Sequence, residues 1–243
     1  MNGKKIFAAN WKLYKNPEQT REFFKSFLPE AQGLDCEIYF FPPAISLEAA
    51  AGVLKNSKIK FGSQNCYRES QGAFTGEISA QMVKDLGGQL VLVGHSERRK
   101  IFGESDVLIA EKVAHVQGLG LTPVFCIGET LEERESQQIR SVLEKQMHVG
   151  LSKADANKPL VIAYEPVWAI GTGKIATPAQ VKETHALVHE ITLAIGFAKA
   201  PILYGGSVKP DNSKELLQIP HVDGFLVGGA SLEPSSFLAI ARS

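Results

Sequence analysis

Cysteine is scarce in this chain: Cys36, Cys66 and Cys126 stand far apart and are odd in number. They suit neither a disulfide framework nor a metal motif, and they imply a reducing, cytoplasmic setting. Net charge is absent as well, because 26 basic side chains balance 26 acidic ones. With no basic excess or stripe, a nucleic-acid partner is not expected. A small anion is still compatible, since a few well-placed groups can hold one without altering the total. Long apolar runs are missing too. No segment approaches the ~20 residues of a membrane span, and the run ending at Ala9 is too short for a signal-peptide core. No membrane association is therefore expected. The six histidines include no His-Glu-x-x-His spacing, and no metal is expected. No Gly-x-Gly-x-x-Gly turn follows the first apolar run, which argues against a dinucleotide-binding sheet.

What is present is alternation. Apolar runs that read as strands occupy residues 6–9, 38–41, 59–62, 90–94, 123–127, 160–164, 202–204 and 224–227. Several are continuously apolar, as in parallel strands buried on both faces. Amphipathic stretches with helix punctuation lie between them. Asn16-Pro17-Glu18-Gln19 and Thr177-Pro178-Ala179-Gln180 each offer an N-cap, a first-turn proline and a reciprocal Gln, and Thr130 with Glu133 forms a capping box. Ile109, Val113 and Val116 keep helical spacing, with Gly118 or Gly120 to end that helix. Alternation of this kind leads to parallel pairing with right-handed crossovers. No linker or low-complexity segment divides the chain. The expected architecture is one closed eight-stranded parallel (β/α)8 barrel domain spanning residues 1–243.

In such a barrel the active site forms at the C-terminal ends of the strands. There the chain places Asn10-Trp11-Lys12, His95-Ser96-Glu97, Glu165-Pro166, Gly205-Gly206-Ser207 and Gly228-Gly229. A cation, an imidazole, a carboxylate and two glycine-rich turns thus converge on one rim. Longer stretches extend the pattern: Gly72-Ala73-Phe74-Thr75-Gly76-Glu77, Gly94-His95-Ser96-Glu97-Arg98-Arg99, Cys126-Ile127-Gly128-Glu129-Thr130, Ala163-Tyr164-Glu165-Pro166-Val167-Trp168, Tyr204-Gly205-Gly206-Ser207-Val208 and Val227-Gly228-Gly229-Ala230-Ser231-Leu232. In content and order these resemble the triosephosphate isomerases, over nearly the whole chain.

The resemblance implies interconversion of dihydroxyacetone phosphate and glyceraldehyde 3-phosphate, a small phosphorylated triose, without a cofactor. It implies Glu165 as the base, His95 as a neutral hydrogen-bond donor and Lys12 as the cation facing developing charge, a set of roles for which this family is itself the standard illustration. Asn10, Gly171, Ser207, Gly228 and Gly229 are implied in substrate binding, the glycines because backbone N–H groups approach phosphate closely where no Cβ intervenes. A closed, dry site is expected to raise the Glu165 pKa. Residues 166–174, apolar between Pro166 and Gly171-Thr172-Gly173, read as a lid. The loop at 64–77 implies a homodimer. Glu97 is left open between pairing with Lys12 and pairing with Arg98 or Arg99. A phosphosugar aldolase, another phosphosugar isomerase or a silent phosphate binder remain as alternatives on the same barrel.

Overall fold

The computed structural model describes residues 3–170 and 175–243. Eight parallel strands close in sequence order into a barrel: β1 (Ile6–Asn10), β2 (Glu37–Phe41), β3 (Lys60–Ser63), β4 (Leu90–Val93), β5 (Thr122–Ile127), β6 (Val161–Tyr164), β7 (Ile202–Tyr204) and β8 (Gly224–Val227). Closure comes from β1 lying between β2 and β8, with Phe7 opposite Ile38 on one side and Phe225 on the other. The expected barrel is therefore the observed one, with strand ends within one residue of those read from the apolar runs.

The outer layer consists of α1 (Pro17–Ala31), α2 (Leu47–Leu54), α3 (Ala80–Asp85), α4 (Ser96–Phe102), α5 (Asp106–Gly118), α6 (Leu131–Glu135), α7 (Ile139–Gly150), α8 (Pro178–Ala194), α9 (Ser213–Leu217) and α10 (Pro234–Ala241). All three capping boxes form. Asn16 caps α1 with Gln19, Thr130 caps α6 with Glu133, and Thr177 caps α8 with Gln180. Each satisfies N–H groups that a helix start leaves without partners.

Strand side chains alternate between two cores. Ile6, Ala8, Tyr39, Phe41, Leu90, Leu92, Val124, Cys126, Val161, Ala163, Leu203 and Leu226 fill the barrel interior. The intervening residues, such as Phe7, Phe40, Val91, Phe125 and Phe225, pack outward against the helices. This explains the uninterrupted apolar runs: both faces of every strand are buried. Trp11, Phe23, Phe24, Phe27, Phe40 and Phe237 form an aromatic cluster that holds α1 and α10 to the barrel beside β1. Trp11 is fully buried and its indole N–H donates to the Ser231 carbonyl at 3.1 Å. Among the described residues, no helix is long and apolar enough to cross a membrane.

Candidate active site

The same alternation aims the polar residues. Along β1 the inward positions are Ile6 and Ala8, and two residues on comes Asn10. Along β6 they are Val161 and Ala163, followed by Glu165; beyond Leu226 of β8 comes Gly228. The period of two that fills the barrel with aliphatic side chains thus delivers an amide, a carboxylate and a bare backbone at its mouth. A cleft of about 380 Å³ lies there, lined by Asn10, Lys12, His95, Glu165, Ser207, Gly228 and Gly229 among others. Every described member of the expected site borders it; Gly171 and residues 172–174 of the expected lid lie outside the described residues.

Lys12 has φ +49°, a conformation strained for a residue with a side chain. Its backbone is gripped from both sides. The Asn10 side-chain oxygen accepts from the Lys12 N–H at 3.0 Å, and Gln64 Nε2 donates to the Lys12 carbonyl at 2.8 Å. Gln64 also donates to the Phe41 carbonyl at 2.8 Å, tying the grip to β2. The Lys12 ammonium meets Glu97 Oε1 at 2.6 Å. Glu97 therefore goes to Lys12, while Arg98 pairs with Glu104 and Arg99 with Asp106.

His95 is the N-cap of α4, and its Nδ1 accepts from the Glu97 N–H at 3.3 Å. Its Nε2 lies 2.9 Å from Glu165 Oε1. Burial pushes the imidazole toward the neutral form, but the Glu165 carboxylate outweighs it and holds the pKa above the ordinary histidine value. For the neutral ring the cap sets the proton's place: an Nδ1 that accepts a backbone N–H carries no hydrogen, so the proton sits on Nε2 and is donated to Glu165.

Glu165 is only 2% exposed. Burial alone would raise its pKa, but the His95 contact and the Ser96 N–H, which donates to Oε2 at 2.9 Å, hold it below the ordinary carboxylate range. The expected upward shift is thus reversed in this arrangement. Part of the reason is the Ser96 N–H at the first turn of α4, a contact between residues 69 apart in sequence. Beneath lies Cys126, fully buried, with its thiol pushed well up by burial and so unsuited to nucleophilic work.

The rim between Glu165 and Lys12 is made of the turns after β7 and β8. Ser207 donates its hydroxyl to the Ala169 carbonyl at 3.0 Å, linking the β7 turn to the segment after β6. Gly228 sits so near Lys12 that a Cβ there would lie 3.7 Å from Lys12 Cε. Among the described residues, no group of three or more His, Cys, Asp or Glu side chains is placed to hold a metal ion.

A sequence model described as triosephosphate isomerase matches residues 5–243. The triosephosphate isomerase of Bdellovibrio bacteriovorus is 67% identical over 238 residues, covering 98% of this chain and 99% of the relative. That of Chlamydia trachomatis serovar L2 is 47% identical over 246 residues, with 98% of this chain and 89% of the relative covered. That of Aquifex aeolicus is 43% identical over 249 residues, with 99% of each chain covered. The chain belongs to the triosephosphate isomerase family.

Two features of the site escape a reading by residue type. Gln64 directly follows β3 on the same rim, but it acts only on the Lys12 and Phe41 backbone carbonyls, a role that its residue type does not announce. Glu129 is fully buried behind the site and accepts from Trp168 Nε1 at 2.8 Å, Arg134 at 2.9 Å and Tyr164 at 3.1 Å, all at Oε1. A carboxylate beside the Thr130 cap reads in sequence as solvated. Its place after β5, facing a tryptophan that follows β6, is the available signal.

Proposed function

We propose that this chain interconverts dihydroxyacetone phosphate and glyceraldehyde 3-phosphate with Glu165 as base, His95 as donor to the substrate oxygens and Lys12 as the cation. The observation that carries the assignment is the buried carboxylate in direct contact with a capped imidazole, on the floor of a cleft walled by glycine turns. To reach a carbon in the cleft, the carboxylate gives up its bonds to His95 and Ser96. Those bonds are what lower its pKa, and burial, which raises it, remains. Substrate entry therefore makes the base stronger when it is needed.

Glu165 then removes a proton beside the carbonyl, and the electron pair becomes the double bond of an enediolate. The negative charge on oxygen faces His95 Nε2–H and the Lys12 ammonium, both fixed before reaction. The hydroxyl proton shifts from one enediolate oxygen to the other, and return of the carbon-bound proton to the neighbouring carbon gives the other isomer, so no electron acceptor enters the balance. Asn10 steadies Lys12, and Ser207, Gly228, Gly229 and Gly171 take the phosphate. An aldolase reading needs a free amine at the barrel mouth; Lys12 is ion-paired with Glu97 instead.

The test is a coupled assay of glyceraldehyde 3-phosphate turnover with Glu165→Gln beside the wild type. Loss of a positioned base costs ~10²–10⁴-fold. Binding of the phosphate without turnover by the wild type would leave a silent binder, and a borohydride-trapped adduct on Lys12 would make it an aldolase.

The whole chain, residues 1–243, acts as one barrel domain in this reading, and two copies pair. Leu13, Ile45, Ile101 and Phe102 stand well exposed, a burden for a solitary subunit. The 64–77 loop carries Tyr67 and Phe74 with ring centroids 4.3 Å apart as an apolar tip to insert. Sedimentation at micromolar concentration is expected to show a dimer; an active monomer would remove this part. The free thiols Cys36, Cys66 and Cys126 agree with a cytoplasmic location.

A further inference from the structure

The peptide that leads into His95 is held by one guanidinium. Gly94 follows β4 with φ +74°, and its carbonyl accepts from Arg99 Nε at 2.7 Å. Arg99 Nη2 donates to the Cys126 carbonyl on β5 at 3.0 Å, and Nη1 donates to the carboxylate of Asp106, the first residue of α5. A Cβ on Gly94 would stand 3.1 Å from Arg99 Nη2 and 3.0 Å from Ile109, so the fork and the turn are fitted to one another. All three nitrogens of the guanidinium are engaged, each with a different element.

The Gly94 carbonyl and the His95 N–H belong to one rigid plane. Fixing that carbonyl fixes where the His95 Cα begins. On the far side the imidazole is fixed by the Glu97 N–H at Nδ1. His95 is thus held at its root by Arg99 and at its ring by the helix start. Arg99 does not border the cleft.

We propose that Arg99 is a positioning residue for His95: its fork spans the ends of β4 and β5 and sets the 94–95 peptide so that Nε2–H points at the reacting oxygens. This rests on the reading of His95 as the donor. Lysine cannot substitute, because an ammonium has no planar fork to serve two carbonyls and a carboxylate in fixed directions. Asp106 holds the same guanidinium from behind.

The test compares Arg99→Lys, Arg99→Ala, Asp106→Asn and His95→Gln in the glyceraldehyde 3-phosphate assay, with the ¹⁵N imidazole resonances of His95 recorded for each folded variant that retains it. A displacement approaching 1 Å costs on the order of 10²-fold in rate. Arg99→Lys is expected to lower kcat about 10- to 100-fold with KM within about twofold, and to move the His95 Nδ1 and Nε2 resonances. Asp106→Asn is expected to do the same more weakly, and guanidinium added to Arg99→Ala to restore part of its kcat. If Arg99→Ala does not fold, Arg99→Lys and Asp106→Asn carry the comparison. Folded Arg99 variants with wild-type kcat, or with lowered kcat and unmoved His95 resonances, would overturn the proposal while leaving His95 as donor. Wild-type turnover by His95→Gln would instead remove the reading on which the proposal rests.

Discussion

Replacing Gly205 with alanine tests how tightly the base is seated. Gly205 follows β7, and its N–H donates to the Tyr164 carbonyl at 2.7 Å. A Cβ built there lies 3.0 Å from Glu165 Cγ and 3.1 Å from the Tyr164 oxygen. Comfortable carbon–carbon contact begins at about 3.5 Å, so the new methyl is about 0.5 Å too close to the side chain of the base. Backbone on one side and a side chain held by His95 and Ser96 on the other leave little slack. A full ångström of misplacement costs on the order of 10²-fold, so half of one is expected to cost about 10-fold in kcat. Overpacking should destabilise the fold by ~1–3 kcal/mol, which the lower freedom of the unfolded alanine chain offsets by about 0.5 kcal/mol. The assay is coupled turnover with thermal denaturation run in parallel. Gly118→Ala is the control: it lies at the exposed end of α5, a Cβ there has nothing within 4 Å, and activity should be unchanged. A folded Gly205→Ala enzyme within twofold of wild-type kcat would refute the argument that the new methyl displaces Glu165.

Acid should expose a second buried group. Burial lowers the His185 pKa from 6.5 to about 4, so the unfolded chain binds its proton first as pH falls. Its contribution is intact above about pH 6.5 and is lost progressively toward pH 4, by roughly 3 kcal/mol in all; urea titrations should show His185→Gln losing less over that window than the wild type. Glu97→Gln keeps an acceptor near Lys12 but removes the charge, and should lower kcat/KM roughly 10-fold without unfolding the protein. An unchanged kcat/KM would show that the grip on the Lys12 backbone suffices. Lys112 and Glu104 are both buried and 2.6 Å apart. Lys112→Met should cost about 3 kcal/mol in urea denaturation because it strips the buried Glu104 of one of two cations.

The barrel was legible because its determinants are local. Runs such as Leu90-Val91-Leu92-Val93 must be buried on both faces, and the capping residues Asn16, Thr130 and Thr177 mark helix starts within four residues of chain. Positions in the cleft were legible for the same reason: strand ends in a closed barrel share one rim. What local reading does not supply is contact between distant segments. The direction of the Glu165 pKa turns first on His95 and then on the Ser96 N–H, both at the start of the helix that follows another strand. Glu97 is ambiguous beside two arginines until the fold turns those arginines toward Glu104 and Asp106. Gln64 stands at the end of β3, but its residue type does not announce that its amide grips the Lys12 and Phe41 carbonyls.

Closure of β1 against β8 bears on the chain's synthesis. Lys12 is made well before the turns that complete the rim beside it, at Gly206-Ser207 and Gly228-Gly229. Until β8 leaves the ribosome, β1 has one open edge and the mouth of the barrel is open beside Lys12. Pairing over such a separation in sequence is slow and exposes apolar edges meanwhile. A nascent chain can therefore hold most of its helices and strands and still have no catalytic power, so that turnover switches on only as the last strand docks.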